Sequence, residues 1–383
     1  MNDSSTYKAE SLIYREIDNS YIVWFSNGNQ YVRLEEPAFF VLQNLEYRIL
    51  AETIASQCSQ RYQSTKEEST RFVSEISSGI EAIRKQTVPT LSTISGNPEL
   101  QERPFASFST HTYSINGKCI CFCFETELYE YYLHPLLQHL ETETPKAESI
   151  LFELFEYNNQ IVLRCNQHIK GIWKKEETHL LKGMAFLQIL NTAYEKNDDD
   201  WMAIIHASAV TNGEKTIVFT ASPGSGKSTI AALLMQKGYA LVSDDFVPIE
   251  RVSRLVFPFP AAMSVKEGAN ELLSALYPEL LKQSALQKST TNKRIKYLPI
   301  EGKALPGKIK ETIFIKYDPA IDFEWELVPR ADALKILLDE TWTAPSAVNA
   351  SCFLDWYCGI SCYRLIYSNN EKALEFIAKL FEQ

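Results

Sequence analysis

The first 85 residues change from strand-like to helix-like spacing of apolar positions. Residues 11–35 hold a β-rich run, a turn of Ser, Asn and Gly, and an alternating run, which together predict strands joined by a hairpin. Three helical stretches follow, over 37–47, 50–62 and 65–85. Thr65 lies three residues before Glu68, which is a capping-box pattern. The pattern therefore predicts a small, self-contained domain over residues 1–90.

A segment rich in Pro, Ser and Thr separates this domain from the rest of the chain. The composition of 87–107 is typical of a linker, which we assign to 91–108. Strand-like runs return after the linker and are followed by a helical stretch over 179–195. We therefore expect a β-rich middle segment over 109–200 that packs on a catalytic domain over 201–383.

From residue 201 onward the pattern is that of an α/β fold. A buried strand over 216–220, a helix over 227–237 and a strand over 239–243 follow one another with short joints. Such a unit implies a parallel pair of strands with a right-handed crossover. Parallel strands end at the same edge of a sheet, where α/β folds bind their ligands.

Charge is unevenly distributed along the chain. The net charge of the 383 residues is −10, which argues against a nucleic-acid-binding protein, because such proteins carry a basic face. Residues 1–90 and 91–200 have net charges of −3 and −7, whereas 201–383 is neutral. Within the neutral part, residues 282–316 hold nine basic residues against two acidic ones. An anionic group is the expected partner of that basic run, and a solvated surface loop is the alternative.

Neither a membrane span nor a disulfide framework is indicated. No apolar run reaches 18 residues, and the N-terminal residues lack the apolar core of a signal peptide, so we expect a cytosolic protein with no membrane partner. Eight cysteines are few for this length, and cytosolic thiols stay reduced. Cys119, Cys121 and Cys123 alternate with apolar residues, which predicts one face of a strand. A zinc site is disfavoured there, because no His or second Cys pair stands at zinc spacing nearby.

The strongest chemical signal is the run ASPGSGKST over 221–229, between a predicted strand and a predicted helix. Small residues let backbone N–H groups close around a phosphate, and the helix N-terminus adds partial positive charge. Lys227 can reach the β- and γ-phosphates of ATP, and Ser228 can bind Mg²⁺. Ala221 stands where the strict pattern has its first glycine, and a turn that binds no phosphate is the alternative. The predicted nucleotide-binding residues are Ser222, Pro223, Gly224, Ser225, Gly226, Lys227, Ser228 and Thr229.

Two further features accompany this loop. Asp244 and Asp245 end the strand after the helix, so that one carboxylate could hold Mg²⁺ and the other accept the proton of an attacking hydroxyl. His206 stands in an apolar run fifteen residues before the loop. Taken alone, an acidic pair also fits a solvated loop or a helix cap, and a lone His is more often a satisfied core histidine.

Together, His206, the 221–229 loop and the sequence VSDDFVPIE over 242–250 resemble the catalytic domain of the HPr kinase/phosphorylase family. The resemblance implies a serine kinase that uses ATP and Mg²⁺, with a fold akin to that of phosphoenolpyruvate carboxykinase. It also implies a functional role for His206, Mg²⁺ binding by Asp245 and general-base catalysis by Asp244.

The resemblance covers about 206–250 and becomes diffuse beyond it. The glycine-rich stretch that follows in true HPr kinases is replaced by FPFP over 257–260 and MSVKEG over 263–268. The chain is more similar to the HPr-kinase-related proteins of peptide-modification gene clusters, including lasso-peptide kinases. Phosphorylase activity and HPr as a substrate are therefore not implied. Candidate residues for binding phosphate or an acidic substrate are Lys266, Lys293 and Arg294.

Residues 15–86 resemble a PqqD-like domain, a winged-helix element that recognises precursor peptides. The resemblance is carried by NGNQYVRL over 27–34, PAFFVLQNLE over 37–46 and the long helix after them. It implies that a leader peptide adds an edge strand beside the third strand and packs against the third helix. The implied leader-binding residues are Gln30, Tyr31, Val32, Arg33 and Leu34. A DNA-binding winged helix is the alternative, and the net charge of −3 disfavours it.

These features combine into one hypothesis and two alternatives. The hypothesis is an ATP- and Mg²⁺-dependent kinase that phosphorylates a Ser hydroxyl of a ribosomally synthesised precursor peptide, with the leader captured by the N-terminal domain. One alternative is a kinase of a small molecule or carrier protein, in which that domain serves dimerisation or regulation. The other is a nucleotide-gated peptide-binding protein without phosphotransfer. Whether the chain forms a homo-oligomer stays an open question at this point, since HPr kinases form oligomers.

Overall fold

The computed structural model of the chain describes residues 12–86, 98–104, 106–143, 149–287, 294–300 and 304–383. The α/β class is confirmed, since these residues form eleven α-helices and 21 strands in several sheets. Contacts divide the chain into two compact units, of which the first comprises 1–89, 329–335 and 343–359 and the second comprises 90–328, 336–342 and 360–383. Of the helices in the described ranges, none is both long and apolar enough to cross a lipid bilayer.

The described residues form the following strands and helices, in chain order. The strands are β1 Ile13–Ile17, β2 Ser20–Phe25, β3 Gln30–Glu35, β4 Ser109–Ile115, β5 Lys118–Phe124, β6 Ile150–Tyr157, β7 Gln160–Cys165, β8 His168–Lys174, β9 Trp201–Ile205, β10 Ala207–Thr211, β11 Thr216–Thr220, β12 Ala240–Asp244, β13 Val247–Glu250, β14 Leu255–Val256, β15 Met263–Lys266, β16 Leu286–Gln287, β17 Arg294–Leu298, β18 Gly307–Tyr317, β19 Phe323–Leu327, β20 Thr341–Thr343 and β21 Ser361–Tyr367. The helices are α1 Glu36–Glu46, α2 Ala51–Tyr62, α3 Lys66–Arg84, α4 Pro98–Glu102, α5 Glu127–Leu137, α6 Thr178–Tyr194, α7 Lys227–Gln236, α8 Glu267–Leu276, α9 Arg330–Asp339, α10 Ala347–Tyr357 and α11 Asn370–Glu382.

The first unit contains the predicted three strands and three helices. Strands β1, β2 and β3 form an antiparallel sheet in that order, and its inner face packs on α1 and α3 through Val23, Phe39 and Ile80. The predicted capping box is present at the start of α3. The Thr65 hydroxyl accepts the Glu68 N–H at 3.2 Å, and a Glu68 carboxylate oxygen accepts the Thr65 N–H at 2.9 Å.

The other face of this small sheet is covered by residues from late in the chain. The rings of Tyr31 and Phe353 lie 5.1 Å apart, and the Arg15 guanidinium donates to Asp355 at 2.7 Å. Helix α10 therefore groups with the first unit, which corrects the prediction that the whole of 201–383 forms a catalytic domain. This grouping follows from side-chain packing between segments more than 300 residues apart in the sequence.

The second unit joins the middle segment and the catalytic segment through one core. The middle sheet has the strand order β4-β5-β6-β7-β8. Its fully buried Phe122 and Phe152 belong to the same apolar cluster as Trp201 and Phe259. The alternation predicted for β5 is confirmed, because Ile120, Phe122 and Phe124 face this core while Cys119, Cys121 and Cys123 face the opposite side.

The main sheet of the second unit positions the candidate site. Its order is β12-β10-β11-β18-β14-β13-β9-β20, and β21 pairs with β18 and with β19. The prediction that β11 and β12 form a neighbouring parallel pair is wrong. Strand β10 lies between them and is antiparallel to both. Because β11 and β12 still run in the same direction, their carboxyl ends meet at one edge of the sheet, as the prediction required.

Candidate functional site

The glycine-rich loop joins β11 to α7, as its sequence context predicts. Gly224 and Gly226 have φ values of +96° and +100°, a left-handed conformation that glycine adopts without steric cost. Lys227 begins α7, so the loop ends at a helix N-terminus, where N–H groups lack helical partners and favour anions. The outer residues Ser222 and Pro223 are exposed. The loop therefore has the backbone conformation expected of a phosphate cradle.

Lys227 is held against the start of the loop. Its side chain is buried, and Nζ donates to the Ala221 carbonyl at 2.5 Å. Burial lowers the pKa of Lys227, although the charges of Asp245 and Glu340 raise it. Since Ala221 contributes its carbonyl and its φ is not in the left-handed region, this position does not require the glycine of the strict pattern.

Asp244 bridges the loop and the neighbouring strands. Its carboxylate is 3 % exposed, and it accepts the Ser208 hydroxyl at 2.5 Å. Both of its oxygens lie 3.0 Å from the Ser228 hydroxyl. Burial and the charge of Asp245 raise the pKa of Asp244 to about 7. The structure thus brings a carboxylate from β12 into direct contact with the first turn of α7.

Asp245 faces a group of cations. Burial raises its pKa, but the charges of Lys182, His206, Lys227 and Lys266 outweigh burial and hold the pKa of Asp245 below its usual range. The nearest are Lys182 Nζ at 3.5 Å and His206 Nδ1 at 3.9 Å. Asp245 also has a φ of +63°, a conformation that Asp tolerates better than most residues. The two adjacent aspartates therefore lie in opposite electrostatic surroundings.

The surroundings of Asp245 include residues that sequence reasoning missed. Lys182 comes from α6 in the middle segment, and its Nζ also lies 5.3 Å from the centre of the Phe186 ring. Glu340 accepts the backbone N–H of His206 at 2.7 Å through its carbonyl, which fixes the chain at the start of β10. No local motif marks either residue, so only their position in the fold reveals them.

A cavity of about 570 Å³ opens in front of the loop. This volume lies within the range of sites that bind drug-sized ligands. Its lining includes Gly224, Gly226, Lys227, Ser228, Thr229, Asp245, Lys266, Leu272, Leu273, Tyr317, Tyr367 and Asn370. The predicted residues Lys227, Ser228, Asp245 and Lys266 therefore share one cavity. Tyr317 and Tyr367, which sequence reasoning did not select, add aromatic surface with ring centres 5.8 Å apart.

Several other predicted site residues do not line this cavity. Arg294 lines a second cavity of about 300 Å³ together with Lys296, not the cavity of the loop. Lys293 lies outside the described residues. Ser222 and Ser225 hold the outer turn of the loop, where the Ser225 hydroxyl donates to the Ser222 carbonyl at 2.9 Å.

The predicted leader-binding strand, β3, lies in the first unit. It pairs with β2, and no strand of the described residues pairs with its second edge. Val32 and Leu34 face the helical side of the sheet, and Tyr31 packs on Phe353 of the opposite side. Arg33 forms an ion pair with Asp332 at 2.5 Å, and Gln30 is hydrogen-bonded to Gln86.

Neither the scan against protein-family models nor the search of curated proteins returns a significant match.

The raised pKa of Asp244 implies that the free energy of unfolding depends on pH. Its pKa rises from an ordinary value of 3.8 to about 7, so the stabilisation it confers is complete below about pH 4 and is lost as the pH rises through 7. Asp244→Asn removes the buried charge. We therefore expect Asp244→Asn to stabilise the chain more at pH 8 than at pH 4. The gain in free energy of unfolding over the unmodified chain should be about 1–3 kcal/mol larger at pH 8.

Denaturant unfolding at the two pH values measures this difference. Asp339→Asn, at an exposed position of the same unit, is the matched control and should show a much smaller pH-dependent change. An equal effect of Asp244→Asn at both pH values would contradict the electrostatic description of the site.

Proposed function

We propose that this protein is an ATP- and Mg²⁺-dependent kinase that transfers the γ-phosphoryl group to a Ser hydroxyl of a ribosomally synthesised precursor peptide. The observation that carries the proposal is the contact between Ser228 and Asp244, with 3.0 Å from the hydroxyl to each carboxylate oxygen. It unites the hydroxyl and the carboxylate that phosphate-loop enzymes use around a metal ion. A glycine-rich turn without a phosphate role has no need of such a partner.

The cavity fits a nucleotide on both chemical and steric grounds. The triphosphate would lie on the backbone N–H groups of the loop, with Lys227 moving from the Ala221 carbonyl to the phosphate oxygens. Tyr317, about half exposed at the cavity wall, offers an aromatic face to the base. Lys266 adds a second cation beside the phosphates.

The residues present also fit Mg²⁺, which prefers oxygen ligands. We assign Ser228 and Asp244 to hold it, the reverse of the Asp assignment implied by family resemblance. When bound, the ion would neutralise charge on the phosphate oxygens. Asp244 suits this position because its oxygens already face Ser228, while Asp245 lines the open cavity.

Asp245 is then the group that accepts the proton of the substrate hydroxyl. Geometry decides this role before pKa does, and the Asp245 side chain lies in the cavity, where a hydroxyl can reach it. The Ser oxygen forms a bond to the γ-phosphorus as the bond to the β,γ-bridging oxygen breaks. The proton passes to the Asp245 carboxylate, and ADP leaves. His206 and Lys182 hold that carboxylate in its ionised state.

Leader capture is supported by the second edge of β3, which pairs with no strand of the described residues. A peptide that adds a fourth strand there would gain backbone hydrogen bonds, and its side chains would supply specificity. Binding the leader raises the local concentration of the segment to be phosphorylated, which helps a site with weak affinity of its own.

A pair of proline variants tests this edge. Neighbouring residues of an edge strand direct their N–H groups to opposite sides, so Val32→Pro and Arg33→Pro remove donors from different edges of β3. We expect one variant to lower the melting temperature by breaking the β2–β3 ladder. The other should unfold nearly as the unmodified chain does, but raise KM for the peptide about 10-fold or more. If the better-folded variant keeps the original peptide KM, the leader does not bind at this edge.

The experiment that tests the function is incubation of the full chain with ATP, Mg²⁺ and Ser-containing peptides encoded beside its gene. Mass spectrometry should show a gain of one phosphoryl group on a Ser residue. Omission of Mg²⁺ should abolish the gain. If no peptide acquires a phosphoryl group while ATP is bound, the proposal of a peptide kinase fails.

A further inference from the structure

Two histidines and two glutamates converge at one end of the middle sheet, away from the glycine-rich loop in sequence. One nitrogen from each of His111 and His134 and one carboxylate oxygen of Glu141 lie within 4.8 Å of one another. They come from β4, α5 and the segment after the 3-10 turn that follows α5. We propose that His111, His134 and Glu141 form a Zn²⁺ site with three protein ligands, a function separate from phosphoryl transfer.

Each imidazole already has the outer partner that a zinc-bound histidine requires. His111 Nε2 lies 2.7 Å from a carboxylate oxygen of Glu130, and His134 Nδ1 lies 2.9 Å from the Tyr113 hydroxyl. Such partners fix the tautomer and leave the second nitrogen as the metal ligand. For His111 the second nitrogen is Nδ1, which faces Glu141 at 2.7 Å. Glu130 is itself fixed, since it accepts the Ser109 hydroxyl at 2.9 Å.

The charge of the cluster favours a divalent cation. The carboxylates of Glu130 and Glu141 each lie 2.7 Å from a ring nitrogen of His111. A Zn²⁺ ion with two neutral imidazoles balances those carboxylates. The His111 and His134 rings stack with centres 3.8 Å apart, so sharing one ion requires both imidazoles to rotate while Glu130 and Tyr113 stay within reach of them. Both are only partly buried, which leaves room for that rotation.

The backbone holds the third ligand in place. Glu141 forms an isolated β-bridge with Tyr113, and the Thr142 N–H donates to the Thr112 carbonyl at 2.8 Å. Glu141 is therefore attached to the strand that carries His111. The cysteines of β5 cannot join the site. Cys121 and Cys123 pair across the ladder with Thr112 and Thr110, so they lie on the face opposite to His111.

Titration of the chelator-stripped full chain with Zn²⁺ against a chromophoric chelator tests the site. We expect binding of one ion, and at least a 10-fold loss of affinity in His111→Gln and in His134→Gln. The matched control is His168→Gln, at an exposed position of β8 in the same sheet, and it should retain the original affinity. Equal affinity in all three variants, or no binding by the unmodified chain, overturns the proposal.

Substitution by Co²⁺ separates this site from adventitious binding to thiols. A site of two imidazoles and a carboxylate gives visible d–d bands without a thiolate-to-cobalt charge-transfer band. The presence of that band would assign the metal to cysteines and contradict the proposal.

Should the His variants fold poorly, Glu141→Gln replaces them, since the Glu141 side chain is 40 % exposed. Zn²⁺ should raise the melting temperature of the unmodified chain and leave that of Glu141→Gln nearly unchanged.

Discussion

We expect Lys227→Met to lower kcat/KM for the proposed phosphoryl transfer by about 10²–10³-fold, because it removes the ammonium group of the glycine-rich loop. The apolar stem of Met fills the space that the Lys side chain occupies in the buried first turn of α7. The ammonium group, which now donates to the Ala221 carbonyl, has no replacement. The loss falls on the transition state, since negative charge spreads over the equatorial oxygens of the transferring group.

Steady-state rates with ATP and peptide measure this loss. Lys237→Met is the matched control. It removes an identical charge, and Lys237 is exposed at the other end of the same helix. We expect kcat/KM of Lys237→Met to lie within about twofold of that of the unmodified chain. Similar rates for both variants would mean that α7 does not face the reacting phosphate.

Asp245→Asn and Asp244→Asn separate the two carboxylate roles. Loss of the general base lowers kcat by about 10²–10⁴-fold. We expect that loss in Asp245→Asn, with KM for ATP and the Mg²⁺ concentration for half-maximal rate close to their original values. Asp244→Asn should instead require a higher Mg²⁺ concentration, because it weakens the oxygen set that Asp244 forms with Ser228.

The Mg²⁺ dependence of both variants decides the assignment. Ser228→Ala provides the comparison, since it removes the hydroxyl and leaves both aspartates in place. Its Mg²⁺ requirement should shift in the same direction as that of Asp244→Asn. If Asp245→Asn is the variant that needs more Mg²⁺, the roles are those implied by the family resemblance, with Asp245 on the metal and Asp244 as the base.

Local signals predicted much of this fold and the centre of the site. Spacing of apolar residues located the strands and helices of residues 12–86, and the capping box fixed the start of α3. The strand–loop–helix context placed Lys227 and Ser228, and the following strand placed Asp244 and Asp245. These features depend on residues close in sequence, whose contributions add within one element.

Other features depend on contacts that no local pattern contains. The turn at Asn212 and Gly213 is a local signal for the β10–β11 hairpin, but no local pattern indicates that β10 also pairs with β12 and so separates it from β11. Helix α5 was not predicted, because Pro135 and several tyrosines weaken the helical signal over 127–137. Thr126 caps this helix and core packing of Leu133 stabilises it. Lys182 reaches the site only through the packing of α6.

The fate of the γ-phosphoryl group distinguishes transfer to a peptide from hydrolysis and from nucleotide binding alone. Phosphorus NMR of the full chain with ATP, Mg²⁺ and a Ser-containing precursor peptide follows ATP, ADP, inorganic phosphate and phosphoester in one sample. We predict a phosphoserine resonance that grows in step with ADP, and no such growth with Lys227→Met. Growth of inorganic phosphate alone, or ATP that stays intact with every peptide offered, would contradict phosphoryl transfer to a peptide hydroxyl.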